Sequence, residues 1–134
     1  MRERPSVLYA CTHNAGRSVA AKVLTEHYAG DLIAVRSAGS EPGDEVNPVV
    51  VEALRERGLS TATESPTKLD DEIVRAADVV VTMGCGDTCP YFPGKRYEDW
   101  KVDDPAGQSL DVVRRIVDDV DARVRRLIDE LVGP

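Results

Sequence analysis

Aromatic side chains are scarce, only 4% of the 134 residues. Any core must therefore be filled by Val, Leu, Ile and Ala. Cysteine occurs three times, and an odd number excludes a fully paired disulfide framework. No apolar run reaches the ~18 residues that would cross a bilayer. Met1-Arg2-Glu3-Arg4-Pro5 is not followed by the apolar stretch that a signal peptide requires. The expectation is a cytoplasmic chain with no membrane partner, whose thiols are kept reduced. Basic residues are outnumbered: 17 Lys and Arg stand against 24 Asp and Glu, for a net charge of −7. That balance argues against nucleic acid as a partner. An anionic substrate would have to be drawn by a local site, against the field of the whole chain.

What is present fits one globular domain spanning residues 1–134. Hydrophobic residues make up 42%, and the length suffices for a proper core. The patterning predicts strands over residues 6–10, 32–35 and 77–83, and an edge strand within 97–102. Helices are predicted over 17–29, with Val19, Ala20, Val23, Leu24 and His27 or Tyr28 at inward spacing, and over 48–57, with Val50, Val51 and Leu54 inward. A short one starts at 67–72. The last covers 109–132, with Leu110, Val113, Ile116, Val117, Val120, Val124, Leu127, Ile128 and Leu131 as its apolar stripe. Residues 84–108 read as a long functional loop rich in Gly, Pro, Asp and Cys. Alternating strands and helices imply an α/β fold with a parallel sheet and helices on both faces. Ligands in such sheets bind where strands end and helices begin.

Cys11 stands at the first of these junctions. The stretch "CTHNAGRS", residues 11–18, follows an apolar strand and opens a helix. Helix first-turn amides lack intrahelical partners and, with the helix dipole, form a ready anion site. Gly16 allows close backbone approach, and Asn14 tolerates a left-handed conformation. Arg17 brings a planar fork of donors suited to a tetrahedral oxyanion. The same field favours a thiolate: helix N-termini lower a cysteine pKa from about 8.5 to roughly 3.5–7.5. Ser18 can donate a hydroxyl to that sulfur. The loop thus pairs a nucleophile with the anion it attacks. Zinc at Cys85 and Cys89 would need further ligands; Cys11, His13 and His27 are distant or committed elsewhere, so no metal is expected. Lys95 and Arg96 are a basic pair, read either as a dock for a redox partner or thiol cofactor or as simply exposed, and Asp103 is a solvated neighbour of Asp104. The acidic residues Asp118, Asp119 and Asp121 form a solvated face, set against the arginines of the last helix.

"CTHNAGRS", the Ser37-Ala38-Gly39 triplet and Asp103-Asp104-Pro105 together resemble the low-molecular-weight protein tyrosine phosphatase family over nearly the whole chain. The resemblance implies a three-layer αβα fold with a four-stranded parallel sheet. It makes Cys11 the nucleophile, Arg17 and the loop Thr12, His13, Asn14, Ala15 and Gly16 the oxyanion binders, Ser18 the support of the thiolate, and Asp104 the general acid. Phosphatases of this type follow Asp-Pro with tyrosines. Here Ala106-Gly107-Gln108 follows, and "VTMGCGDTCP" (81–90) and "WKVDDPAG" (100–107) are similar to the arsenate reductase branch. The implied substrate is arsenate, which phosphate or sulfate mimics, and the chain is expected to act as a monomer.

Arsenate reduction needs two electrons from thiols. The resemblance leaves two routes. In one, mycothiol is the co-substrate and mycoredoxin regenerates the enzyme; the 84–108 stretch is more similar to mycothiol-dependent actinobacterial members. In the other, Cys85 and Cys89 form a disulfide relay with Cys11, reduced by thioredoxin. No tightly bound cofactor is implied. Some relatives bind potassium with help from a glutamate on the first helix, but the nearest position here is Lys22.

Overall fold

The computed structural model describes residues 4–84 and 91–133. The sheet has four parallel strands: β1 (Ser6–Cys11), β2 (Ala34–Gly39), β3 (Val79–Met83) and β4 (Arg96–Asp99), in the order β2-β1-β3-β4. Among the described residues four α-helices complete it: α1 (Arg17–Ala29), α2 (Pro48–Glu56), α3 (Asp71–Ala76) and α4 (Leu110–Val132). This is the expected three-layer arrangement around a four-stranded parallel sheet.

The period-two alternation of a strand sorts β1 and β3 between two cores. Val7, Tyr9 and Cys11, with Val79, Val81 and Met83, join the side packed by α1, α2 and α4. Leu8, Ala10 and Val80 join Val74 of α3 with Ala38, Leu69 and Ala77. Cys11, the last residue of β1, therefore faces the larger helical layer. The seven residues Val113, Ile116, Val117, Val120, Val124, Leu127 and Ile128 bury the α4 stripe as its spacing predicts. Tyr9 is fully buried, and its ring lies 5.7 Å from that of Trp100. Its hydroxyl bonds Thr25 at 2.7 Å, and burial pushes its pKa upward despite that bond. Among the described residues no helix is long and apolar enough to cross a membrane.

Several boundaries depart from the sequence-based expectation. The second strand starts two residues later, because Gly30 at φ +56° begins a 3-10 turn over Gly30–Leu32 that leaves Leu32 60% exposed. It then continues through Arg36 and Ser37, since an edge strand in register with β1 needs apolar residues less than backbone pairing. The third helix begins at Asp71: Asp70 caps it by accepting from the Ile73 amide, while Leu69 and Lys68 run beside Gly39. Ala77 and Asp78 precede β3, and Asp78 accepts instead from the Ser6 amide. The edge strand ends at Asp99, leaving Trp100 and Val102 as buried core residues. His27 or Tyr28 was expected inward, but both are exposed; Tyr28 reaches Asp121 and Arg125 of α4 from outside.

Candidate active site

Cys11 ends β1, and Arg17 begins α1. Between them the chain makes a tight loop whose carbonyls are held by the segment after β2. The Cys11, Thr12, His13 and Ala15 carbonyls accept from the amides of Ser40, Glu41, Gly43 and Asn47 at 2.7–3.2 Å. Four such bonds fix the loop's peptide planes. The helix N-cap, Gly16, has no side chain to cap the first-turn amides, which leaves those donors to a ligand.

Asn14 organises the centre. It adopts φ +49°, the one non-glycine residue with positive φ among those described, and it is fully buried. Its Oδ1 accepts from the Thr67 amide at 2.8 Å, and its Nδ2 lies 2.7 Å from Ser18 Oγ. A backbone amide can only donate, so the orientation of the Asn14 amide is fixed, and Nδ2 must donate to Ser18. Ser18 then has its own proton free for Cys11 Sγ, 2.9 Å away. That hydroxyl is the polar side chain placed against the sulfur at the floor of the loop.

Two glycines are required by these contacts. A Cβ on Gly39 would lie 2.7 Å from the Thr12 carbonyl and 2.8 Å from the Asn14 amide. The Ser37-Ala38-Gly39 triplet thus ends where backbone must pass against backbone. Gly84, at φ +95°, lies beneath the Arg17 guanidinium, whose nitrogen a Cβ would meet at 2.6 Å. The Gly84 carbonyl accepts from Thr12 Oγ1 at 2.8 Å, tying the end of β3 to the loop.

Arg17 is nearly buried, at 11% side-chain exposure, and its ties to protein groups are long. It donates to the Val102 carbonyl at 3.4 Å and lies 3.9 Å from Asp104 Oδ2. Among the described residues these are its polar ties, so they leave most of the fork's donors to an anion. Asp104 is 55% exposed, and its Oδ1 accepts from the Ala106 amide at 3.0 Å. Pro105 packs on Gly16, where a Cβ would meet the proline ring at 2.7 Å. Cys11, His13, Ala15, Gly16 and Arg17 line a cleft of about 40 Å³, closed from the other side by Asn47, Asp104, Pro105 and Ala106. One water needs roughly 10–15 Å³ on the same measure, so the cleft suits a small oxyanion.

The structure thus brings Cys11, Arg17, Ser18 and Asp104 to one place, with Asn14 behind them. His13 is exposed at the rim, its Nδ1 2.9 Å from the Glu41 carbonyl; a carbonyl only accepts, so Nδ1 carries the proton. Cys85 and Cys89 lie outside the described residues. Asp103 is exposed, and Trp100 belongs to the core with its indole donating to Glu98. Lys95 and Arg96 are engaged within the fold. Lys95 Nζ donates to the Arg75 and Ala77 carbonyls, and Arg96 pairs with Glu98 and Glu130. Lys22 pairs with Glu64 and Glu26. Among the described residues no group of three His, Cys, Asp or Glu is arranged to hold a metal. Sequence reasoning missed Asn47 and Thr67. Asn47 caps α2 through Val49 and holds the Ala15 carbonyl; an Asn before Pro48 was a cap signal, but nothing local linked it to the cysteine loop.

Known proteins share this architecture. A solved thioredoxin-dependent arsenate reductase from Corynebacterium glutamicum is 45% identical, with a TM-score of 0.87. The match covers 96% of this chain, which spans 62% of that longer one. The solved arsenate reductase from Archaeoglobus fulgidus is 33% identical, with a TM-score of 0.78, over 91% of this chain and 98% of that one. Arsenate reductase 1 of Bacillus cereus is 36% identical over 131 residues, 94% of this chain and 96% of its own. The family model for low molecular weight phosphotyrosine protein phosphatase matches residues 6–133, and the chain belongs to that family.

Proposed function

We propose that this protein is an arsenate reductase in which Cys11 attacks the oxyanion. The observation that carries the reading is the cleft itself. A buried thiol lies 2.9 Å from the Ser18 hydroxyl, beside an arginine whose ties to the described residues are long, in a space sized for one small tetrahedral ion. Ala106 lines the cleft just after Asp104-Pro105, where the resemblance gives phosphatases of this type a tyrosine, which favours arsenate over a phosphotyrosine side chain. Relatives named as arsenate reductases support the same choice.

In this reading the loop amides and Arg17 bind arsenate, and the Cys11 thiolate attacks arsenic. An S–As bond forms, an As–O bond breaks, and Asp104 gives a proton to the departing oxygen, which leaves as water. In the relay, a second thiolate then attacks the Cys11 sulfur. An S–S bond forms, the S–As bond breaks, and its electron pair passes to arsenic, reducing As(V) to As(III) as two sulfurs are oxidised. In the relay, the second thiol is Cys85, and Cys89 carries the disulfide onward to thioredoxin. The 45% identical thioredoxin-dependent structure favours this route. In the mycothiol route, mycothiol takes the arsenic from Cys11, and mycoredoxin attacks the mycothiol sulfur to release arsenite. The sequence of the 84–108 stretch favours that one. A cytosolic setting supplies reduced thiols for either.

Arsenite formation with thioredoxin and with mycothiol plus mycoredoxin, run in parallel, tests the reading. Wild type and the Cys11→Ser, Cys85→Ser and Cys89→Ser variants are compared. Turnover with thioredoxin that is lost in Cys89→Ser assigns the relay. Turnover with mycothiol that survives in Cys89→Ser assigns the mycothiol route. Rapid aryl phosphate hydrolysis without arsenite would overturn both in favour of a phosphatase.

A further inference from the structure

Glu64 is a carboxylate with 5% side-chain exposure on the loop between α2 and α3, outside the cleft. Its partner is Lys22 of α1, whose Nζ donates to Oε2 at 2.8 Å with 19% side-chain exposure. A carboxylate taken this far out of water needs such a cation, since an unpaired buried charge is costly. The other charged groups around the pair are Glu26, which accepts from the same ammonium at 3.2 Å, and Arg36, across a groove that also holds Thr63 and Thr67. Burial would push the Lys22 pKa down. The hydrogen bonds to Glu64 and Glu26 outweigh it, and the net direction is up.

Position turns this pair toward the cleft. Lys22 lies one turn beyond Ser18 on the same helix face. Glu64 lies three residues before Thr67, whose amide holds Asn14 and whose carbonyl accepts from the Gly39 amide at 2.8 Å. The contacts close a ring. Cys11 Sγ meets Ser18 Oγ, Ser18 meets Asn14, and Asn14 meets Thr67. The chain runs back to Glu64, which meets Lys22, and the helix returns to Ser18.

We propose that Lys22, clamped by Glu64, is a positioning residue for the oxyanion site. The ion pair fixes the 64–67 segment against α1. That segment holds Asn14 in its left-handed conformation, and Asn14 aims the Ser18 hydroxyl at Cys11. The proposal rests on the functional reading only in taking Cys11 as the attacking group.

Lys22→Met alone strands the Glu64 charge and risks the fold, so the double variant Lys22→Met/Glu64→Gln carries the test. It removes both charges at similar volume, a change that is often neutral for stability. Inorganic phosphate serves as the probe of the loop, by calorimetric binding. Arsenate kcat and KM are measured beside it, with thermal melts as control. The double variant is expected to melt near the wild-type temperature, bind phosphate at least threefold more weakly and show a raised KM. Lys22→Arg with Glu64 intact is expected to regain most of the affinity. A folded double variant with wild-type phosphate affinity and KM would overturn the proposal. So would Lys22→Arg binding no better than the double variant. A wild-type protein that binds phosphate but forms no arsenite would sink the functional reading and leave this one standing.

Discussion

The two walls of the cleft are built in opposite ways. On one side, residues 11–18 are held by four backbone bonds, a fully buried Asn14 and a glycine that admits no Cβ. On the other, Asp104 is half-exposed, meets Arg17 only at 3.9 Å and has one local bond to Ala106. The difference matches what each wall must do. Anion binding by amides gains from dipoles fixed in advance, which need no reorganisation when charge arrives. A proton donor must exchange protons with water between turnovers, so exposure serves it. Substitutions in the first wall should therefore cost stability and activity together, and those in the second should cost activity alone.

The largest effect is expected from Cys11→Ser, which should remove arsenite formation with either reducing system, a loss of at least about 10³-fold in kcat/KM. Full activity in that variant would refute the site. Asp104→Asn should lower kcat by roughly 10²-fold or more with an unchanged melting temperature, because the side chain contributes one exposed turn bond. A melting drop in step with the lost rate would erase the contrast between the walls. Gly39→Ala should do the reverse of Asp104→Asn. Overpacking against Thr12 and Asn14 is expected to destabilise by about 1–3 kcal/mol, visible in denaturant unfolding, and phosphate affinity should fall with it. Alkaline pH sharpens the same point more gently. Because the folded Lys22 value lies above the ordinary 10.5, the Lys22 contribution is complete below pH 10.5 and fades as pH rises through the folded value. Wild type and Lys22→Met/Glu64→Gln should thus melt alike from pH 7 to 9, and wild type should fall below the double variant above about 10.5. Asp103→Asn, on an exposed neighbour, should change nothing measurable.

How far the chain could be read without coordinates follows the same divide. The α4 stripe and the strand before Cys11 were legible, because long amphipathic periodicity and a short apolar run depend on local sequence. So were Cys11, Arg17 and Ser18, which one strand–loop–helix junction carries in eight residues. The start of β2 was not, since Leu32, the last residue of the 3-10 turn, opens an apolar run with Ile33. Thr67 and Glu64 were invisible for another reason. They act on Asn14 and Lys22 across 53 and 42 residues, and no local pattern announces a bond of that separation. Gly39 was noticed as part of a triplet, but only the distance to the Thr12 carbonyl says why no larger residue fits.

The decisive experiment is the alkylation rate of Cys11 by iodoacetate at pH 7, followed by peptide mass with and without arsenate. A nucleophilic sulfur in an anion-binding nest should react well above the rate of a free cysteine, and saturating arsenate should protect it. Labelling no faster than an unactivated thiol, with no protection by arsenate, would contradict the assignment of this loop as an oxyanion site with a nucleophile at its floor.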